Sequence, residues 1–383
     1  MNRRLLSLDA LRGFDMFWII SGEGIFHGIA NAIMTKHQLI RNATDWTIAT
    51  NEHLSLMERL LISISNQLHH SPWNGFTFYD MIFPLFIFIS GVSMPFANAE
   101  KKKLYRPLIK RTVILILLGM VVNGLFQFQG CEHTRFASVL GRIALATFFA
   151  AIIYINCSLR AQVLWFATIL ISYCAAMLLI PVPGHGAGIL TAEASLSSYI
   201  DQLLLPGKLH RTTYDPEGLL STIPAIASAM LGVFTGQFLK WESPAYSPKK
   251  KALLLALAGV LLLLAGLAWG TFFPINKSMW TSSFVLFAGG WSVLLFTLFY
   301  YIIDLRDFQG WTAPFIWIGT NSILIYMAAH GLVNFESSAQ FLFGGIIKQV
   351  AADWQPALLW TAVLILQLKL LQVLYKKKWF LKI

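Results

Sequence analysis

Charged residues are scarce in this chain of 383 residues: Asp, Glu, Lys and Arg make up 12% of it, whereas soluble domains carry about 25%. Hydrophobic residues make up 56%, and the mean hydropathy is +0.63. A row of soluble domains joined by polar linkers is therefore excluded. The composition is typical of a polytopic membrane protein, in which many side chains face lipid.

Cysteine and negative charge are scarce as well. Cys131, Cys157 and Cys174 stand far apart, and no His, Cys and Asp combination has the spacing of a metal site, so we expect no metal. Lys and Arg outnumber Asp and Glu by 29 to 18 and give a net charge of +11. These basic residues fall in short clusters between apolar runs, which indicates membrane topology and no nucleic-acid partner.

Apolar segments of about 20 residues, the length of a membrane-crossing helix, run along the whole chain. They predict an all-α polytopic membrane protein, with about ten transmembrane helices in one bundle and a single domain over residues 1–383. The predicted helices cover residues 8–30, 76–98, 112–128, 139–156, 161–180, 219–239, 252–273, 281–303, 313–334 and 356–375.

The positions of Lys and Arg predict the orientation of these helices. With the N-terminus inside, the inner segments hold most of the basic clusters, among them Arg3, Arg4 and KKKLYRPLIKR (101–111). The positive-inside rule then places both termini in the cytoplasm. The two longest loops, residues 31–75 and 181–218, lie outside.

Several ionisable or polar residues fall inside the predicted helices, where a charge costs about 2.5–3.5 kcal/mol on insertion scales. Glu23 and His330 lie in the outer halves of their helices, and His70 precedes the second helix. Asp80 lies a few turns inward of His70, and Asn321 precedes His330 in the same predicted helix. We therefore predict an outer cavity lined by Glu23, His70 and His330, with Asp80 and Asn321 as its floor.

Simpler explanations exist for some of these charges. Asp9 and Arg12, three residues apart, could form an interfacial ion pair. Asp80 could stabilise the bundle without touching a substrate.

Six sequence blocks, in order along the chain, resemble the family of heparan-alpha-glucosaminide N-acetyltransferase, a lysosomal transmembrane acetylase, and its bacterial relatives. They are SLDALRGFDMF (7–17), HSPWNGFTFYDMIFPLFIFISG (70–91), RFASVLGRIALATFF (135–149), YDPEGLLSTIPAIASAMLGVFTG (214–236), PINKSMWTSSFVL (274–286) and NSILIYMAAH (321–330).

This resemblance implies transfer of an acetyl group from cytosolic acetyl-CoA to the amine of a glucosamine-type sugar beyond the membrane. The family's active-site histidine stands three residues before Trp-Asn-Gly, which is His70 here and not His69. A polar residue ten positions after the Arg-Gly glycine also acts at the family's site, and counting from Gly13 gives Glu23. Similarity to the bacterial members implies an integral protein of the bacterial inner membrane.

The chemistry of acetyl transfer suits the residues around His70. A histidine with a pKa near 6.5 can accept the amine proton or carry the acetyl group itself. Glu23 could collect the proton or hold the imidazole, and the Asn74 amide could donate to the oxyanion. We therefore predict that His70, Glu23 and Asn74 are catalytic.

The remaining candidates are binding residues. For the amino-sugar or oligosaccharide acceptor they are Trp73, Asp215, Glu217, His330 and Asn321. For acetyl-CoA, the co-substrate, they are Arg12, Arg142, Lys277 and Asp80. The alternative for Asp215 and Glu217 is a turn that enters a helix, with Asp215 as its N-cap. The lipid bilayer is the other expected partner, and a homodimer stays open.

Three other functions stay open at this point. An O-acyltransferase of an envelope polysaccharide or lipid would use the same histidine chemistry. A sugar or anion transporter would also place charges inside helices, although we find no pair of similar halves in the sequence. A membrane scaffold without activity would need neither His70 nor Glu23.

Overall fold

The computed structural model describes residues 5–39, 54–97, 104–128 and 130–381. Over these ranges the chain forms α-helices with short π and 3-10 segments and no β-strand, which confirms the all-α prediction. Residues 40–53 of the first long loop lie outside the described residues. So do Arg3, Arg4, residues 101–103 and Lys382, which had contributed to the predicted orientation.

The α-helices of the described residues, in chain order, are α1 (Leu6–Phe17), α2 (Glu23–Lys36), α3 (Leu56–Gln67), α4 (Phe78–Ser93), α5 (Tyr105–Val122), α6 (Val139–Asn156), α7 (Leu159–Leu179), α8 (Leu196–Leu204), α9 (Leu219–Lys240), α10 (Pro248–Gly270), α11 (Ser282–Phe299), α12 (Ala313–Thr320), α13 (Ser322–Met327), α14 (Phe335–Ile347) and α15 (Gln355–Lys376).

Among the described residues, seven helical segments are long and apolar enough to cross a membrane, and the bent pair α12–α13 would be an eighth. The predicted number of about ten is therefore not confirmed. The first and third predicted helices are not among these candidates. The first predicted helix carries Asp9, Arg12, Asp15 and Glu23, and α5, which begins before the third predicted helix, carries Arg106, Lys110 and Arg111.

The two long loops contain helices that the sequence analysis missed. Helix α3 lies in the first loop, and its N-terminus is a capping box between Ser55 and Glu58. Helix α8 lies in the second loop, and the Ser195 side chain caps it. Both helices are too short to span a membrane, so a search for long apolar segments does not find them.

The chain divides into two compact units, and the first comprises Met1–Pro72, Thr77–Ile82 and Asp307–Lys382. Within it, α1 packs against α12 at two glycines. A Cβ atom on Gly13 would lie 1.7 Å from the Phe315 carbonyl oxygen, and one on Gly319 would lie 2.0 Å from the Asp9 carbonyl oxygen. The Arg-Gly sequence of α1 therefore permits close helix packing.

Two interruptions shape the helices of the first unit. The π-helical segment Trp18–Gly22 joins α1 to α2 without a break in the helix. By contrast, α12 and α13 meet at a bend of 78°. The Asn321 side chain stabilises this bend, because its amide donates to the Trp379 carbonyl at 3.0 Å and its oxygen accepts from the Leu381 N–H at 3.0 Å. The segment predicted over residues 313–334 is thus a bent pair of helices in the structure.

The second unit includes Trp73–Phe76 and Phe83–Arg306. Helices α10 and α11 pack closely, as do α5 with α6 and α6 with α9. Gly91 and Gly232 bring α4 against α9, since a Cβ atom on either glycine would lie about 2 Å from a carbonyl oxygen of the other helix.

Hydrogen bonds join the connecting segments and helix ends of the second unit into two groups. Hydrogen bonds that join the first group are Trp73 Nε1 to Leu190 O (2.8 Å), Asn276 Nδ2 to Trp73 O (2.9 Å) and Gly75 N to Ile275 O (2.9 Å). Those that join the second group are Lys240 Nζ to Pro95 O (2.6 Å), Tyr105 Oη to Asn156 Oδ1 (2.7 Å) and Gln237 Nε2 to Gln162 Oε1 (2.7 Å). Successive long helices of this unit run from one group to the other.

Candidate active site

His70 and Asp80 form a direct pair within the first unit. The imidazole Nδ1 lies 2.8 Å from the Asp80 Oδ1, and the side chains are 52% and 1% exposed. Because a carboxylate can only accept, the His70 Nδ1–H donates and Nε2 becomes the outer nitrogen. Asp80 was predicted to bind the donor, a few turns below His70. In the structure Asp80 lies directly against the imidazole and accepts from its Nδ1–H.

The loop between His70 and α4 explains this contact. The Ser71 and Thr77 backbone N–H groups donate to the Asp80 Oδ2 at 3.1 and 3.2 Å. The Thr77 hydroxyl donates to the His69 carbonyl at 2.6 Å. The loop therefore folds back over the first turn of α4, and a depth estimated from helix rise alone misplaces Asp80.

The two adjacent histidines have different neighbours. The His69 ring stacks on His27, with centroids 4.0 Å apart, and the His27 Nδ1 lies 2.8 Å from the Ser65 hydroxyl. His70 instead contacts Asp80 and the Tyr79 ring, whose centroid is 4.8 Å away. The distinction predicted between His69 and His70 thus has a structural counterpart.

Glu23 and His330 line one cavity of about 410 Å³ in the first unit. The cavity also has a second carboxylate, Glu336, and the indole of Trp360 along its wall. The His330 Nδ1–H donates to the Tyr326 carbonyl at 2.9 Å, at the point where the helix after α13 ends. Two of the three residues predicted to share an outer cavity therefore do so, and His70 is not among its lining residues in the described part of the chain.

The Asn321 side chain bonds the backbone, and the Asn74 side chain bonds another side chain. Asn321 is 2% exposed, and its amide and its oxygen both bond the segment after α15, while its contact with substrate stays a prediction. The Asn74 Oδ1 accepts from the Asn276 amide at 3.1 Å. This orients the Asn74 side chain with its nitrogen as the outer, donating end.

Trp73 is fixed by polar and aromatic contacts in the second unit. Its Nε1–H donates to the Leu190 carbonyl at 2.8 Å, and its ring meets the Tyr214 ring edge-on at 5.1 Å. The indole is half-buried, so part of it remains accessible.

Asp215 and Glu217, predicted to bind the acceptor, both pair with Arg135. The Arg135 Nε and Nη2 donate to the two Asp215 oxygens at 2.7 and 2.5 Å, and Nη2 also donates to Glu217. Asp215 further accepts from the His210 and Glu217 backbone N–H groups at 2.9 Å. Burial raises the pKa of Asp215, but the hydrogen bond and charge of Arg135 outweigh it and lower that pKa. The arrangement corresponds to a structural turn before α9.

Asp201 supplies the cap at the start of α9. Its Oδ1 accepts from the Leu219 N–H at 2.9 Å, whereas Asp215 had been the candidate for this role. Burial is the main cause that raises the pKa of Asp201 to about 6, and the Leu219 hydrogen bond and the charge of Arg142 oppose it.

The basic residues predicted to bind acetyl-CoA have other partners. Arg142 is 2% exposed, donates to the Gly218 carbonyl and the Ser221 hydroxyl, and lies 5.0 Å from the Trp280 ring centroid. Arg12 Nη1 lies 3.5 Å from Asp9 Oδ1, so these two residues form the ion pair that was the alternative prediction for them. Lys277 is half-buried in the turn before α11. The contacts of Arg142 therefore give it a structural role at the start of α9.

Sequence analysis missed several residues that the structure places at these sites. Tyr79 precedes Asp80, and its hydroxyl is unusual at the start of so apolar a run. Arg135 stands 80 residues from Asp215, and no local pattern joins them. Glu336 lies in the first turn of α14, a segment that was predicted as loop, so the sequence did not indicate that Glu336 lines the cavity.

No protein-family model matches the chain. It is similar to the curated heparan-alpha-glucosaminide N-acetyltransferase of Mus musculus (28% identical over 389 residues) and to that of Homo sapiens (25% identical over 378 residues). Each match covers 82% of this chain but 56% and 55% of the relatives, so the chain spans a little over half the length of the curated relatives it matches. Over most of its own length the chain is therefore distantly similar to curated heparan-alpha-glucosaminide N-acetyltransferases.

Proposed function

We propose that this protein is a transmembrane N-acetyltransferase that moves an acetyl group from cytosolic acetyl-CoA to the amine of a glucosamine-type sugar on the outer side of a membrane. The observation that carries this proposal is the pair of an exposed His70 with a buried Asp80, in the sequence block that resembles the family's active-site segment. The distant relatives support the same class of reaction.

The His70–Asp80 pair suits either route of acetyl transfer. In direct transfer, the amine attacks the thioester while Nε2 accepts its proton, and CoA leaves as the thiol. In two-step transfer, Nε2 attacks first and releases CoA. The amine then displaces the imidazole from the acetyl group and loses a proton. In both routes Asp80 stabilises positive charge on the imidazole, since its carboxylate already holds Nδ1–H.

The cavity between Glu23 and Glu336 fits the proposed acceptor. An amino sugar arrives mostly as an ammonium ion, and two carboxylates attract that charge. The Trp360 indole offers an apolar face to a sugar ring. Glu23 is then the group that collects the ammonium proton before attack. A transporter of anions would not be expected to place two carboxylates here.

We also propose that the helices form one bundle with ten membrane spans, both termini in the cytoplasm and the first group of connecting segments outside. The alternation of the long helices of the second unit between the two groups supports this topology. A bacterial inner membrane is the proposed location.

Acetyl transfer by purified protein tests the function. Labelled acetyl-CoA and glucosamine are incubated with wild type, His70→Ala and the control His185→Ala, which changes an exposed loop histidine. We expect His70→Ala to lose at least about 100-fold in rate, because general base catalysis contributes about 10²–10⁴-fold, and the control to keep full activity. Wild-type activity in His70→Ala would overturn the assignment.

The same preparation separates the two routes and the alternative acceptors. Release of one CoA per protein without acceptor supports the acetyl-histidine route, and its absence supports direct transfer. Transfer to sugars that carry hydroxyls but no amine would favour the O-acyltransferase instead.

A further inference from the structure

Tyr79 contacts both His70 and the cavity residue Glu23. We propose that Tyr79 is a positioning residue: its hydroxyl orients the Glu23 carboxylate in the cavity, and its ring fixes the His70 imidazole. This inference rests on the proposed function. It adds a residue that sets the positions of two groups in that reaction: Glu23, which collects the proton of the ammonium ion, and His70.

The contact with His70 is a ring contact. The two ring centroids are 4.8 Å apart and the planes are inclined by 47°. Asp80 holds the edge of the same imidazole through Nδ1. Because Tyr79 and Asp80 are consecutive residues in the first turn of α4, one short stretch of backbone sets both contacts and limits rotation of the imidazole.

The contact with Glu23 is a hydrogen bond from the Tyr79 hydroxyl. The Glu23 carboxylate lines the cavity, so this bond fixes the direction from which the carboxylate meets a bound acceptor. A hydrogen bond to a charged group is strong and directional, and its loss leaves a long side chain to sample several rotamers.

The π segment Trp18–Gly22 brings a second carboxyl to the same tyrosine. Asp15 and Glu23 are eight residues apart, which in an ideal α-helix leaves their side chains about 80° apart around the axis. The π turn takes up one extra residue and reduces this angle to about 20°. Asp15, 1% exposed, accordingly interacts electrostatically with Tyr79 as Glu23 does. The first helix therefore presents both carboxyls to Tyr79.

Two substitutions separate the hydroxyl from the ring. Tyr79→Phe keeps the ring against His70 and removes the bond to Glu23, whereas Tyr79→Leu removes both. We expect Tyr79→Phe to lower kcat/KM for the acceptor about tenfold, since it removes one hydrogen bond to a charged group. Its KM for acetyl-CoA should stay unchanged. Tyr79→Leu should lower kcat further, and the control Tyr375→Phe, at an exposed site on α15, should match wild type.

A double-mutant cycle with Glu23→Gln decides between positioning and general loss of stability. If Tyr79 acts through Glu23, adding Tyr79→Phe to Glu23→Gln costs almost nothing more in kcat/KM for the acceptor. Additive losses, or equal losses in the parameters of both substrates, would overturn the proposal. If the wild-type protein transfers no acetyl group at all, the proposed function itself is overturned. If the wild type is active and Tyr79→Phe is equally active, only the role of Tyr79 is overturned.

Discussion

At the scale of single residues, the site depends on where charge is buried and where it is exposed. Asp80 is almost completely buried and His70 is half exposed, so the carboxylate interacts mainly with the imidazole and two backbone N–H groups. An ionised carboxylate at such a site is stabilised by its donors and by any positive charge on the ring. In the proposed reaction, Asp80 would therefore stabilise the positive charge that His70 gains with the amine proton.

Replacing Asp80 by Asn should lower the acetyl-transfer kcat by about 100-fold or more, because an amide neither holds the same tautomer nor stabilises the imidazolium. The rate is measured under saturating acetyl-CoA and acceptor. Asp353→Asn, at an exposed position before α15, is the matched control. A full rate in Asp80→Asn would show that the pair is only structural.

Glu336→Gln should raise KM for a glucosamine-type acceptor several-fold and leave KM for acetyl-CoA unchanged. The carboxylate lines the cavity together with Glu23 and would attract an ammonium group, which a neutral amide does less well. Initial-rate measurements across both substrates check this. Glu193→Gln changes an exposed loop carboxylate and should have no effect; an equal change in both variants would argue against an acceptor site here.

At the scale of helices and loops, close glycine contacts and buried polar caps hold the elements together. Helices α1 and α12 approach each other only because Gly13 and Gly319 have no side chains. The start of α9 depends on Asp201 and on Arg142, which bond the Leu219 N–H and the Gly218 carbonyl. Such contacts replace the apolar driving force that helices lack inside lipid.

Gly13→Ala should therefore destabilise the protein, although alanine favours a helix by about 1 kcal/mol. The new Cβ atom would lie 1.7 Å from a backbone oxygen, and overpacking of this kind costs about 1–3 kcal/mol or more. Thermal unfolding in detergent, followed by tryptophan fluorescence, measures the change in Tm. Gly345→Ala, where a Cβ meets open space, should keep or raise Tm. A Gly13→Ala protein with unchanged Tm would contradict the packing.

Asp201 predicts how stability depends on pH. Its pKa rises from 3.8 to about 6 on folding, so its contribution to stability is complete below pH 3.8 and is lost as the pH rises through 6. Asp201→Asn keeps an oxygen acceptor for the Leu219 N–H and does not ionise. The variant should have a higher Tm than wild type at about pH 8, and the difference should shrink towards about pH 4. A difference independent of pH would contradict this.

At the scale of the whole molecule, the two groups of connecting segments predict which residues face each side of the membrane. Trp73, Asn276 and Leu190 belong to one group and Pro95, Asn156 and Lys240 to the other. If the first group is outside, His70, which stands three residues before Trp73 in the chain, is expected outside as well.

Cysteine labelling tests this orientation. In the proposed topology the segment between α5 and α6 is outside, and Cys131 in this segment is exposed, so an impermeant maleimide should label it in intact cells or right-side-out vesicles. Ala245→Cys, introduced together with Cys131→Ser, should label only after permeabilisation. Labelling of the residue 245 cysteine alone from outside would reverse the proposed topology.

The sequence predicted the long apolar helices well and the contacts between distant residues poorly. Residues 139–156 match α6 at both ends because apolar length decides where such a helix lies. The bend at Asn321 depends on Leu381, 60 residues later, and no local pattern reveals that partner. His70 was identified from its motif, whereas its bond to Asp80 depends on a loop that folds back.

Because of the π segment Trp18–Gly22, the packing of α1 and α2 depends on the number of residues between them. Each residue turns an α-helix by about 100°, so deleting one residue here would let the segment revert to a regular α-helix. The two ends of the helix would then rotate and shift relative to each other, and the packing of α1 on α12 and of α2 on α15 could not both be kept. Single-residue insertions or deletions here should therefore disturb the packing more than conservative substitutions of the half-buried Trp18 or Ile19.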